Sequence, residues 1–436
     1  MAKIEPYIKI YKDKSVIVSE DGDIYEFEEG KLSNEAKKRY SLIKKSLEEG
    51  YFEAVILESI KPDVEIGEMA EEHTAALDNL VDSVTSEVGR AIIGLTSMQL
   101  TLKSIDNNQS IRLHKGSSSK GSFSWKEGIP MRVLDKNYIT PLLRKYGLLK
   151  LNADGFMMTR TLAENYPYSK LYKAAIRGAK EEWMDITEWI EADELNALDA
   201  LKYFIGLLNN KTEEFNVNSN EAIDLLNKYF ATEPRKEDIR ALILEYVENS
   251  TYSARLFEIT IHAFYQALDE MKCLGYFLKP LSQMRSANKK HGNIGDIELT
   301  VDKGAKNIVE AWDAKYGKNY FRDEIEELND KLEAHPEAEL VGFISNQVPD
   351  LKKEITDRVE ELNEKHDIEI EILSFNDWSI SQLEDYLDDG QENEFHNRWI
   401  IALIESIAQR RREYAPIDEP TIEWVNEFIA LVKTKI

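Results

Sequence analysis

The 436-residue chain reads as a multidomain α+β protein, in which an α-rich N-terminal region precedes a C-terminal α/β sandwich around a mixed sheet. Three observations lead there. The length suggests two or three domains at roughly 150 residues each. Most of residues 33–250 carries helical periodicity, and from about Thr251 helical and alternating segments take turns. With 42% apolar and 31% charged residues, the composition excludes a long disordered chain.

The first 30 residues contain three short strands, Tyr7–Tyr11, Val16–Ser19 and Ile24–Phe27, with a turn at Glu20-Asp21-Gly22. Ser33 to Ile60 is helical through Leu42, Ile43 and Leu47, and Lys61-Pro62-Asp63 breaks it. An amphipathic pattern through Leu77, Leu80, Val81, Val84 and Val88 runs over residues 69–105. Gly116 to Ser122 has the composition of a flexible linker. Next come a helix at Ile139–Leu149, an Asn-Ala-Asp-Gly turn with a short extended run in Leu151–Met158, and a cap at Thr159-Arg160-Thr161. This order resembles a winged-helix unit. Helical pattern continues from Glu181 to about Ser250.

Ala254–Met271 is then an apolar helix, Ile294–Val301 and Asn307–Tyr316 are strands, and Arg322–Leu332 is a charged helix. Leu340–Ile344 (strand), Leu351–Glu364 (helix) and Ile368–Phe375 (strand) complete the sandwich. Helices at Glu392–Arg412 and Thr421–Thr434 close the chain. The expected divisions are residues 1–68, a small α/β region; 69–200, α-rich and basic; and 201–436, the sandwich with helical additions.

No apolar run reaches the roughly 20 residues of a membrane span, and the N-terminus lacks the apolar stretch of a secretory signal. One cysteine, Cys273, excludes an internal disulfide framework. The expected location is the cytoplasm. The net charge of −26 hides one basic island: residues 103–180 carry 15 basic and five acidic groups, interleaved with eight aromatics. Basic residues among aromatics suit a nucleic-acid surface. The candidate DNA contacts are Arg112, Lys115, Lys120, Lys126, Arg132, Arg144, Lys145, Lys150 and Arg160.

Chemistry concentrates in Gly295-Asp296-Ile297-Glu298 and Glu310-Ala311-Trp312-Asp313-Ala314-Lys315. On a strand, Asp313 and Lys315 share one face while Trp312 and Ala314 take the other. A hairpin return places Asp296 beside Asp313. Two adjacent carboxylates call for a hard divalent cation with oxygen ligands, magnesium first, and a lysine two residues on neutralises a phosphate and positions a water. Such a site hydrolyses phosphodiesters. Upstream, Gln283, Arg285, Asn288, Lys289, Lys290 and His291 lie in an acid-free loop suited to phosphates and base edges.

Asp296, then Asp313-Ala314-Lys315 after 16 intervening residues, then helix, strand, helix and strand, resembles the PD-(D/E)xK nuclease superfamily and within it the type II restriction endonucleases. The resemblance covers about residues 250–378. It implies Asp296 and Asp313 as metal ligands, the Ala314 carbonyl as a third, Lys315 orienting water, and Glu258 as an additional acid from the first helix. It also implies Mg2+, double-stranded DNA as substrate and a homodimer. Gly295 stands where the family has proline. Two alternatives remain open: a repair or modification-dependent nuclease of the same superfamily, and a non-catalytic DNA-binding regulator.

Overall fold

The computed structural model describes residues 5–19, 22–84, 89–113, 125–149, 155, 162, 166–172, 176, 178–281, 293–304, 307–408 and 420–436. Contacts divide the chain into two compact units, Met1–Phe215 and Asn216–Ile436. The division falls inside the helix Ala197–Phe230. Early and later segments of the first unit are joined. Glu29 bridges Trp125 in an antiparallel pair, and Arg39 reaches Gln109 and Glu127.

In the first unit, β1 (Tyr7–Ile10), β2 (Lys14–Val18) and β3 (Ile24–Glu28) form an antiparallel meander. The expected helix over residues 33–60 is two helices, Asn34–Glu48 and Tyr51–Ser59, parted at Gly50, whose φ of 89° a helix cannot accommodate. Arg90–Ile105 is buried over Ile92–Lys103, as expected of a helix apolar on most sides. Both polar atoms of its Gln99 are engaged: Trp183 Nε1 donates to Oε1 at 2.8 Å, and Nε2 donates to the Ile111 carbonyl at 2.9 Å.

Helical structure after the linker starts earlier than the pattern suggests, at Met131–Leu134, and passes through a π-helical turn Asp135–Ile139 into Thr140–Lys145. Pro141 has no N–H for the α ladder, and the wider turn immediately before it absorbs that gap. The extended run and cap expected over residues 151–161 fall almost wholly outside the described residues, as does the Gly116–Ser122 linker.

The second unit is built on a five-stranded mixed sheet, order β4 (Phe277–Leu278), β5 (Ile297–Thr300), β6 (Ile308–Ala314), β7 (Leu340–Ser345), β8 (Glu369–Ser374). β4, β5 and β6 run antiparallel in succession, and β7 and β8 are parallel to β6. Parallel neighbours need crossovers, supplied by the helices Arg322–Leu332 and Lys353–His366. One core joins the two crossover helices to Ala311, Val341, Phe343, Ile370 and Ile372.

Trp312 points to the opposite face. There Trp312, Trp378, Phe264 and Trp399 form an aromatic chain with centroid separations of 4.7–6.2 Å, carried by β6 and the helices Phe375–Tyr386, Ser253–Glu270 and Glu392–Ile407. Gly342 makes room for it, since a Cβ there would lie 2.0 Å from the Trp312 ring. Among the described residues no helix is long and apolar enough to cross a membrane.

Candidate active site

β6 alternates as its sequence requires. Its antiparallel register pairs Ile297 with Trp312 and Glu298 with Ala311, so Glu298, Ala311 and Asp313 share the face of the crossover helices. Asp296 immediately precedes β5, and its amide donates to the Trp312 carbonyl at 2.9 Å. Its Oδ2 accepts from the Ala314 amide at 3.1 Å. The chain thus returns Asp296 to the end of β6, beside Asp313. Lys315 Nζ lies 2.8 Å from Asp313 Oδ2, and its own amide donates to the Ile344 carbonyl of β7 at 2.8 Å.

Asp313 is 5% exposed, and its Oδ1 is buried with no hydrogen-bond donor on it among the described residues. Burial, the Asp313 charge and a hydrogen bond shared between the two carboxyls push Asp296 well above the usual carboxylate range, and Glu258 adds to this. Burial also pushes Asp313 upward, but the hydrogen bond with Asp296 and the Lys315 ammonium overcome it and hold Asp313 low. For Lys315, burial opposes the charge while Asp313, Asp296 and Glu324 together raise its pKa. Two carboxyls packed together repel each other's charge, so Asp296 resists ionisation while Asp313, beside Lys315, keeps its charge.

Glu258, on Ser253–Glu270, is near enough to act electrostatically on Asp296, and its carboxylate is paired with Arg255. Three expected residues, Asp296, Asp313 and Lys315, converge, while Glu258 contacts Arg255. A divalent cation fits the donor chemistry here: two oxygen-bearing acids at neighbouring strand ends, one with a buried oxygen lacking a donor. No group of three or more His, Cys, Asp or Glu side chains placed to hold a metal occurs among the described residues. A site made here consequently relies on two carboxylates and backbone oxygen.

Gly295 has a local reason to lack a side chain. A Cβ on it would stand 2.7 Å from the Trp312 carbonyl oxygen and 2.9 Å from the carbonyl carbon. The turn lies flat against β6, and any side chain would lift Asp296 away.

Three residues that the sequence did not single out shape the site. Glu298, 3% exposed, accepts from the amides of Ile294 (2.6 Å) and Gly295 (3.4 Å) and is paired with Lys279. Lys331 Nζ donates to the Ile294 carbonyl at 2.8 Å. On the reverse face Glu310 Oε1 accepts from the Tyr265 hydroxyl and Trp312 Nε1, both at 2.6 Å, and Oε2 from the Tyr386 hydroxyl at 2.9 Å. Burial and the Glu310 charge hold both phenols protonated as donors. The sequence did carry one signal for Glu310: an acid in the midst of Ile308, Val309, Ala311 and Trp312 must be partnered when buried.

The basic island is less available than its composition suggests. Arg112 forks onto Glu188 and donates to the Tyr168 carbonyl; Lys126 pairs with Glu28, Lys145 with Glu53, and Lys170 with Asp185. Trp125, Tyr168 and Tyr172 are core residues. Arg132 and Arg144 are exposed. Lys115, Lys120, Lys150 and Arg160 lie outside the described residues, as do Gln283, Arg285, Asn288, Lys289, Lys290 and His291. No family model matches the chain, and no curated protein matches it in sequence.

Proposed function

We propose that the second unit is a magnesium-dependent DNA phosphodiesterase of the PD-(D/E)xK type, and that the chain is a site-specific double-stranded DNA endonuclease of the type II restriction class. The observation that carries this reading is the convergence of Asp296, Asp313 and Lys315 at the ends of β5 and β6, with Lys315 Nζ 2.8 Å from Asp313. Three further features support it. The strand order has an antiparallel meander followed by parallel crossovers, the helix Ser253–Glu270 carries Glu258, and the two acids stand side by side at the strand ends.

In the proposed mechanism Asp296, Asp313 and the Ala314 carbonyl would hold Mg2+. When bound, the ion supplies Lewis acidity at the scissile phosphate and lowers the pKa of water. The protein's own groups do the rest. Lys315 orients the attacking water in line with the leaving oxygen and offsets charge that develops on the phosphoryl oxygens. Glu258, held by Arg255, disfavours the ionised form of Asp296, a repulsion that a cation bound between the acids would offset.

DNA is gripped, in this reading, by Arg132, Arg144 and the basic segments over residues 114–124 and 282–292, with a winged-helix unit in the basic island. Cutting both strands calls for a two-fold homodimer. Digestion of unmodified, methylated and branched DNA with magnesium, then with EDTA, followed by sequencing of the ends, tests the proposal. Discrete ends on unmodified duplex are expected. Cleavage confined to methylated or branched DNA would replace the restriction role with a repair or modification-dependent one, and no cleavage of any substrate would leave a DNA-binding regulator.

A further inference from the structure

We propose that Lys331 is a positioning residue for the Asp296–Asp313 pair, acting through the backbone of the turn that presents Asp296; this rests on the nuclease reading above. Lys331 is in the last turn of Arg322–Leu332, where a cation is favoured by the helix dipole. Neighbouring Leu328 and Leu332 are buried in the core beneath the sheet. The ammonium reaches past that core to the Ile294 carbonyl, 2.8 Å away and two residues before Asp296.

The turn is held from both sides of the same peptide run. Glu298 takes the amides of Ile294 and Gly295, and Lys331 takes the carbonyl of Ile294. Gly295 lies flat against Trp312, so the turn has little freedom to relax in the remaining direction. Asp296 then meets the Ala314 amide at 3.1 Å.

One ammonium therefore fixes the backbone two residues before Asp296. Half-burying a lysine costs side-chain entropy and hydration. An apolar residue at this place would extend the core without the hydration cost. The position of the charge, rather than packing, is what the lysine contributes.

The test compares Lys331→Met, which keeps the stem and removes the donor, with Lys331→Arg, which keeps charge and donor. In the full-length protein, Lys331→Met is expected to lower kcat at least tenfold. DNA affinity measured in calcium should stay within about twofold, and Lys331→Arg should recover cleavage to within a few-fold. Hydrogen exchange supplies a readout independent of turnover: amides of Ile294 to Asp296 should exchange at least tenfold faster in Lys331→Met and near wild type in Lys331→Arg. Magnesium-dependent thermal stabilisation should shrink in the first and persist in the second. Unchanged exchange and unchanged magnesium response in Lys331→Met would overturn the positioning role. If wild type itself does not cut DNA, the nuclease reading fails, while the exchange and magnesium data still decide the role of Lys331.

Discussion

Ala314 donates its amide to Asp296 Oδ2 at 3.1 Å, and this contact ties the loop before β5 to the end of β6. It fixes where the first acid stands relative to the second and leaves Asp296 Oδ1 and both Asp313 oxygens out of the contact. The contact survives replacement of the acid by its amide, because asparagine retains an oxygen acceptor.

Asp296→Asn should therefore stabilise the metal-free protein while removing cleavage. Asp296 is buried beside another acid, and its ionised form is disfavoured in the fold. A neutral isostere relieves that cost, by on the order of 1 kcal/mol at pH 8. Thermal melts in EDTA check this, and a lower melting temperature than wild type would contradict it. Magnesium should raise the melting temperature of wild type and leave the variant nearly unmoved.

Gly295→Ala places a methyl 2.7 Å from the Trp312 carbonyl oxygen. Overpacking of this kind costs about 1–3 kcal/mol. Denaturant unfolding should show that loss, and cleavage should fall beyond what the loss of folded protein explains, since the methyl displaces Asp296. Full activity with unchanged stability would mean that the turn has more room than the structure gives it.

His396 makes stability depend on pH. Its Nδ1 donates to the Glu392 carbonyl at 2.7 Å, and Nε2 is buried with no partner among the described residues. Burial lowers its pKa, the Arg240 and Lys236 charges lower it further, and the Glu392 contacts only partly oppose them. An unfolded histidine titrates near pH 6.5. Below that value the unfolded chain takes a proton that the folded ring resists, so stability is full above it and falls as pH drops toward the lowered folded pKa. His396→Gln should reduce the stability difference between pH 7.5 and pH 5 by about 1 kcal/mol. An unchanged difference would show that other groups govern the acid limb.

Within the basic island two kinds of variant should separate. Arg112→Ala strips the fork from Glu188 and the Tyr168 carbonyl, costing about 1–3 kcal/mol of stability with little change in the salt dependence of DNA binding. Arg132→Ala combined with Arg144→Ala, both at exposed positions, should lower the slope of log affinity against log salt by about 1–2. An unchanged slope would move the DNA surface elsewhere.

The strands that hold the site were legible because period-two alternation and a short return leave one register for Asp296 and Asp313. Residues at 297–314 needed only local reasoning. The helix Phe375–Tyr386 was missed, although Ser374 and Asp377 form the Ser-x-x-Asp capping signal, and the Ser374 hydroxyl does accept from the Asp377 amide. The two-residue β4 is too short to show alternation.

Acid partners explain the misleading weight of the basic island. Glu28, Glu53 and Glu188 lie 76–98 residues away from the cations they meet, so a local charge sum cannot register them. Lys331 and Glu298 escaped for the same reason: their importance lies in a backbone turn that only the folded chain brings to them.

Cleavage under single-turnover conditions by wild type, Asp313→Ala and Lys315→Ala, with matched binding assays in calcium, tests the proposed site most directly. Magnesium-dependent cutting by wild type, a loss of at least about 100-fold in either variant and retained sequence-specific binding are the expected result. Either variant cutting DNA at the wild-type rate would contradict it.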